Sequence, residues 1–348
     1  MKSIKRRDFV RNASLGAASI GLTGFAQQEI SKPEKPYRNP REVYIATLTL
    51  NNIAGKDISQ TIQSALKAME NAKPMLPDIY CLPEVFHVAK LEGSRPSLKE
   101  SSENGSGNII GPFQSFAKEN NCYLVCPIHT VENGRYYNAA VIIDRQGKYL
   151  GEYRKVRLTE GELEKGMTPG PKDVPVFKTD FGVIGAQICF DMEWPEGWTL
   201  LRRKGAEIVF WPSAFPGGLR VNARALENRY CVVSSTWGES AKICDVSGEL
   251  AACGGNYNKW GVMASINLER TILHNNSAGT VGVRFPEIRK KYGRKLKFRI
   301  MGEESYTILE SLSPDVKIAD VMKEFDLRSY SRHLEIPDEI KSRLGFEI

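Results

Sequence analysis

Short apolar runs alternate along the chain with stretches in which apolar residues recur every three or four positions. The first run is VYIATLTL at 43–50. Asp57 then stands as a helix cap before Ile58, Ile62, Leu66 and Met69, whose spacing is that of one buried helix face. Further β-rich runs follow at 79–82, 122–128, 139–144, 182–190, 206–212, 230–236 and 260–266. Several are nearly continuous in apolar residues, as for strands covered on both faces. Helical spacing at 111–120, 196–204 and 219–229 falls between them. Strands alternating with helices in this way predict a layered α/β domain over residues 42–285. Beyond it the pattern turns basic and then mixed. An extension over 286–348 is expected, packed on the domain or at an oligomer interface.

The first residues are built differently. A basic start with Arg6 and Arg7 side by side gives way to small and mildly apolar residues from Ala13 to Ala26. That order predicts a signal peptide over 1–26. Arg6-Arg7-Asp8-Phe9-Val10 resembles the twin-arginine export signal, which implies a periplasmic or otherwise exported protein. The apolar stretch is shorter than the ~20 residues a spanning helix needs, and no later segment reaches that length, so no integral membrane span is expected. Lys, Glu and Pro without an apolar period make 27–41 a linker.

Composition removes several function classes. With 41% hydrophobic and 26% charged residues the chain fits an ordinary globular protein, not a disordered or fibrous one. Of the formal net charge of +7, Lys2, Lys5, Arg6, Arg7 and Arg11 against Asp8 account for +4, which leaves +3 on the mature chain. So small an excess predicts no nucleic-acid partner, and the basic run at 284–299 reads as a solvated surface. Seven cysteines, an odd number, sit mostly in apolar runs and not in the spacing of a disulfide framework. His87, His129, His274 and His333 have no i,i+4 partner, so no metal is expected. Gly105 to Gly111 misses the dinucleotide fingerprint by one residue, Met167 stands where a P-loop needs lysine, and no Gly-x-Ser-x-Gly elbow occurs. No cofactor is therefore expected.

Three polar residues remain at the ends of apolar runs: Glu84 after PDIYCLP, Lys155 in GEYRKVRL, and Cys189 in GVIGAQICFDMEWPE. In open α/β sheets ligands gather beyond the carboxyl ends of strands. These three blocks, 71 and 34 positions apart, resemble the carbon-nitrogen hydrolases of the nitrilase superfamily. TPG at 168–170, WPSAF at 211–215 and RALENRY at 224–230 extend the likeness over roughly 43–285. The resemblance implies a four-layer α-β-β-α sandwich, a Glu84-Lys155-Cys189 triad and assembly as a homodimer or higher homo-oligomer. A second glutamate of the family aligns with Glu164, with Glu160 and Glu162 as competitors. Arg224, Glu227 and Asn228 look like helix residues that organise an oligomer interface.

The residue types suit the chemistry that the resemblance implies. A thiol needs a base or a cation beside it to act at neutral pH, and Glu84 is placed to take its proton and return it to a departing nitrogen. Lys155 and the Phe190 backbone N–H would stabilise the oxyanion formed when Cys189 attacks an amide carbon, a donor of that kind being worth about 3–4 kcal/mol of barrier. Two departures narrow the class. Arg157 stands where the family often has His, and Phe190-Asp191 replaces the Trp-Glu of true nitrilases, which favours an amidase or N-carbamoyl hydrolase. Asp191, Glu193 and Trp194 are expected at the pocket entrance, with a loop hydrogen-bonding role for Asp191 equally open. The function expected is hydrolysis of a small linear amide or carbamoyl substrate through a thioester. Acyl transfer from that thioester, or a binding protein that keeps the fold, are the alternatives.

Overall fold

The computed structural model describes residues 38–346 except 239, 255–258 and 276–280. The expected signal peptide at 1–26 and the linker as far as residue 37 lie outside the described residues. Arg38 and Arg41, from the end of that linker, already hold the domain: Arg38 pairs with Asp78 at 2.9 Å and Arg41 with Glu207 at 2.8 Å.

Two sheets lie face to face. The first contains β1 (Glu42–Leu48), β2 (Ile79–Cys81), β3 (Ser102–Glu103), β4 (Tyr123–Glu132), β5 (Arg135–Ile143), β6 (Tyr149–Arg154) and β13 (Gly261–Asn267). Its order is β13-β1-β2-β4-β5-β6, with β3 beside β4. The second contains β7 (Val176–Lys178), β8 (Val183–Ala186), β9 (Ile208–Ser213), β10 (Cys231–Thr236), β11 (Ala241–Cys244) and β12 (Leu250–Gly254), in reverse chain order. Each sheet has a parallel centre, β1-β2-β4 in one and β8-β9-β10 in the other, flanked by antiparallel strands.

The near-continuous apolar runs have a structural cause. On β1, Val43 and Ile45 face the other sheet, whereas Ala46 and Leu48 face the helices Ile58–Glu70 and Gly111–Asn120. On β4, Tyr123 and Val125 point one way, and Leu124, Cys126 and Ile128 the other. Period-2 alternation with both faces buried leaves few polar positions in between, and a buried one such as Thr47 has its hydroxyl bonded. Helices Pro195–Arg203 and Leu219–Asn228 close the outer face of the second sheet through Trp198, Leu201, Val221 and Ala225. The result is an α-β-β-α sandwich. Its sheets are also stitched by hydroxyls, Thr47 Oγ1 donating to Ser234 O and Ser235 Oγ to Leu48 O, each at 2.7 Å.

Helix Ile58–Glu70 begins where the sequence places it, with the Asp57 carboxylate accepting the Gln60 N–H at 2.8 Å. The 182–190 run is only partly strand: β8 ends at Ala186, because the chain turns left-handed at Cys189. A third sheet joins β14 (Arg270–His274), β16 (Tyr306–Ser311) and β15 (Leu296–Met301) over a separate small core. Its edge strand comes from before the expected boundary at 285. The basic run at 284–299 divides between helix Val281–Tyr292 and β15. No helix among the described residues is long and apolar enough to cross a membrane.

Candidate functional site

Glu84 lies three residues beyond β2, Cys189 three beyond β8, and Lys155 directly after β6. The chain bends sharply at two of these places: Val85 has φ 38° and Cys189 φ 44°. The left-handed region costs an L residue roughly 1–2 kcal/mol, here offset by the bonds that hold each turn. Trp211 Nε1 donates to Cys189 O at 3.1 Å, and Trp237 Nε1 to Glu84 O at 2.6 Å. Arg224, expected at an oligomer interface, reaches Met192 O in the same turn at 2.7 Å.

All three side chains line one cavity of about 770 Å³. Lys155 and Glu84 are almost wholly buried, 1% and 3% exposed, and Lys155 Nζ donates to Glu84 Oε1 at 2.8 Å. The other Glu84 oxygen accepts the Ala214 N–H at 2.8 Å. Burial pulls the Lys155 pKa down, yet Glu84, the Cys189 sulfur and Glu162 hold it above that of a free lysine. The Cys189 thiol is pushed up to about 12, first by burial and then by the Glu84 charge, against the opposing pull of Lys155 and of hydrogen bonds from the Ala214 N–H and the Ser213 hydroxyl. The resting sulfur is therefore a thiol, and it needs a base to react. The Phe190 N–H, next along the chain, has no hydrogen-bond acceptor among the described residues.

The second carboxylate at the lysine is Glu162, not Glu164. Glu162 Oε2 and Oε1 lie 2.9 and 3.0 Å from Lys155 Nζ, whereas Glu164 is exposed and off the cavity wall. The cause is a capping box: Glu162 Oε2 accepts the Thr159 N–H at 2.8 Å, which turns the carboxylate back over the helix start at Glu160–Glu164. Two residues further on, Glu164 points away. Burial would raise the Glu162 carboxyl, but Lys155, Asn138 and the Thr159 N–H hold it below its ordinary value. Asn138 joins the two acids, donating to Glu84 Oε1 and Glu162 Oε1 at 2.8 Å each.

The residues expected at the pocket entrance lie elsewhere. Asp191, Glu193 and Trp194 are absent from the cavity wall. Asp191 is buried beneath the Cys189 turn, accepting from Tyr153 Oη at 2.7 Å, Arg157 N at 2.8 Å and Ile188 N at 2.9 Å. Glu193 pairs on the surface with Arg220. The Trp194 ring meets Phe190 edge-on at 5.0 Å, and the Arg157 guanidinium lies 4.8 Å from its centre. In their place the wall takes His129, Tyr136, Asn138, Met167 and Trp237, with Arg95 to Lys99 and Ser101. No sequence motif marks these residues. Among the described residues no group of three His, Cys, Asp or Glu is disposed to hold a metal ion.

Burial pushes the Asp191 carboxyl up to about 6. A folded-state pKa raised from 3.8 means that its contribution to stability is complete below about pH 4 and declines as pH climbs to about 6. The bonds run the other way: the ionised carboxylate accepts three donors, and protonation withdraws one acceptor site from the turn that carries the sulfur. The expected kcat/KM profile therefore falls on the acid side with an apparent pKa near 6. Asp191→Asn, which sets an amide against N–H donors, should lower activity at every pH and erase that limb. An acid limb unchanged in the variant would disprove this assignment.

Known proteins share the sequence pattern and the fold of this chain. The family model described as carbon-nitrogen hydrolase matches residues 45–277. The deaminated glutathione amidase of Dictyostelium discoideum is 29% identical over 220 residues, covering 56% of this chain and 73% of that protein. The N-carbamoylputrescine amidase of Arabidopsis thaliana is 29% identical over 179 residues, covering 50% and 59%. The crystal structure of Saccharomyces cerevisiae Nit3, a member of branch 10 of the nitrilase superfamily, superposes with a TM-score of 0.55 at 22% identity, over 66% of this chain and 90% of that one.

Proposed function

We propose, from the premise that the chain belongs to the carbon-nitrogen hydrolase family, that it hydrolyses a linear amide or N-carbamoyl bond through a thioester on Cys189. The observation that carries this reading is the meeting of Cys189, Lys155 and Glu84 in one cavity with the Ala214 N–H between acid and sulfur. Glu84 takes the thiol proton as Sγ attacks the carbonyl carbon, and Lys155 with the Phe190 N–H receives the developing oxyanion. The C–N bond then breaks, and Glu84 returns the proton to the leaving nitrogen as ammonia or an amine departs. Water, its proton passed to Glu84, attacks the thioester and frees the carboxylic acid and the thiol. Glu162 and Asn138 act by positioning: they keep the ammonium and the carboxylate in register. Asn138 Oδ1 is buried and without a partner among the described residues.

The test is ammonia or amine release from a panel of small amides and N-carbamoyl compounds, with hydroxylamine added to trap the acyl-enzyme. The protein should release product and form the hydroxamate, and Cys189→Ala should abolish both. No release from any compound, or release that survives Cys189→Ala, would defeat the reading. Thiol labelling must account for Cys253, which is exposed. The leader at 1–26 directs export in this proposal, so the mature chain recovered from outside the cytoplasm should lack Met1 to Ala26.

A further inference from the structure

The cavity wall carries more positive charge than the proposed chemistry uses. Its acids are Glu84 and Glu162, and both are held by Lys155. Arg95, Lys99 and Lys165 line the same cavity, and among the described residues none of them is paired with a carboxylate. The acids beside them in the chain turn elsewhere. Glu100 folds back to accept the Ser97 N–H and hydroxyl at 2.8 Å each, and Glu164 stays off the wall. His129 lies between the two stretches that supply the cations: its Nδ1 is 3.1 Å from Ser101 Oγ, and Lys165 bears on it electrostatically. Burial lowers that imidazole to about 4, so at neutral pH it adds no charge of its own.

The cavity also exceeds what the reacting group fills. At about 770 Å³ it is the size of pockets that enclose molecules several times larger than a two- or three-carbon amide. The same wall carries apolar side chains, Val88, Ala89, Leu98, Met167 and Trp237, among which a spacer could lie. Arg95, Lys99 and Lys165 are exposed along this concave wall, where unpaired cations concentrate anions to an extent that salt screens, and guanidinium and ammonium groups bind carboxylate or phosphate through charge-assisted hydrogen bonds.

We propose that the substrate carries an anionic group, separated by an apolar spacer from the bond that is cut, and that Arg95, Lys99 and Lys165 select for it. The proposal rests on the hydrolase reading above and adds the charge and length of the substrate to it.

The test compares primary amides that end in a carboxylate, with spacers of different length, against amides of equal length that end in a methyl or an amino group. For the best spacer the carboxylate should raise kcat/KM by at least about tenfold over the methyl-ended amide at low ionic strength, and added salt should shrink that ratio. Lys99→Glu, Arg95→Glu and Lys165→Glu should each lower the acid-to-methyl ratio. The salt dependence of the unmodified protein provides the same readout should a variant fail to fold. A ratio at or below one for every spacer would overturn this proposal and leave the hydrolase reading standing, because methyl-ended amides would still be cut. No product and no hydroxamate from any amide would overturn both.

Discussion

Lys155→Met is expected to remove hydrolysis and destabilise the fold together. The ammonium is 1% exposed and touches Glu84 at 2.8 Å and Glu162 at 2.9 Å. Methionine matches the length of the stem but leaves two carboxylates facing each other across Asn138 with no cation between them. Breaking a buried pair by deleting one partner typically costs about 3–5 kcal/mol, mostly from the charge left behind. Losing the oxyanion donor should lower kcat by a further factor of about 10²–10³ in whatever protein remains folded. Denaturant midpoints and initial rates, measured on the same preparation, check the two effects. The double variant Lys155→Met, Glu162→Gln removes one of the stranded charges and should recover stability without recovering activity. A single variant as stable and as active as the parent would refute the assignment of this lysine.

Glu84→Gln separates the base from the scaffold. The amide keeps the shape and retains an oxygen for Lys155 and Asn138, but it cannot take a proton, and its nitrogen meets the Ala214 N–H that the carboxylate accepts at 2.8 Å. Loss of a positioned general base typically lowers the rate by about 10²–10⁴, so hydrolysis should fall by that factor. The thiol should move the opposite way. The Glu84 charge helps to hold Cys189 up at about 12, so the neutral variant should titrate at lower pH. Thiolate absorbance, taken as the difference from Cys189→Ala, reads that shift. A variant with a more easily ionised sulfur and less catalysis would identify Glu84 as the proton carrier. Unchanged hydrolysis would remove it from the mechanism.

Much of this architecture is legible in the residue order because burial on both faces of a sheet writes itself as unbroken apolar runs. β1 and β4 are recognisable for that reason, and Asp57 marks the helix that covers them. Glu84, Lys155 and Cys189 are legible together, because the order and spacing of the three blocks that carry them resemble the carbon-nitrogen hydrolases. The choice among Glu160, Glu162 and Glu164 turns on a side chain's direction and not on its place in an alignment. The cue was present in Thr159-Glu160-Gly161-Glu162, a capping-box pattern that bends the fourth residue back over the first. Nearness to the nucleophile in the chain does not bring Glu193 and Trp194 to the cavity wall, and of the two roles open for Asp191 the structure shows the loop hydrogen-bonding one. The turn at Cys189 sends Asp191 beneath the sulfur and Glu193 out to the surface. The cationic wall from Arg95 to Lys99 has no local signature, since only tertiary packing brings it to the cavity.

The backbone angle of 44° at Cys189 also restricts what a protein engineer can install there. Side chains branched at the β-carbon are genuine outliers at positive φ. Serine or alanine fits the bend at least cost, whereas threonine or valine adds strain of the kind that Val85 carries at φ 38° only because its turn is held by other bonds. Libraries randomised at this codon should therefore return well-folded clones dominated by unbranched and very small residues, a census governed by sterics before chemistry has any say.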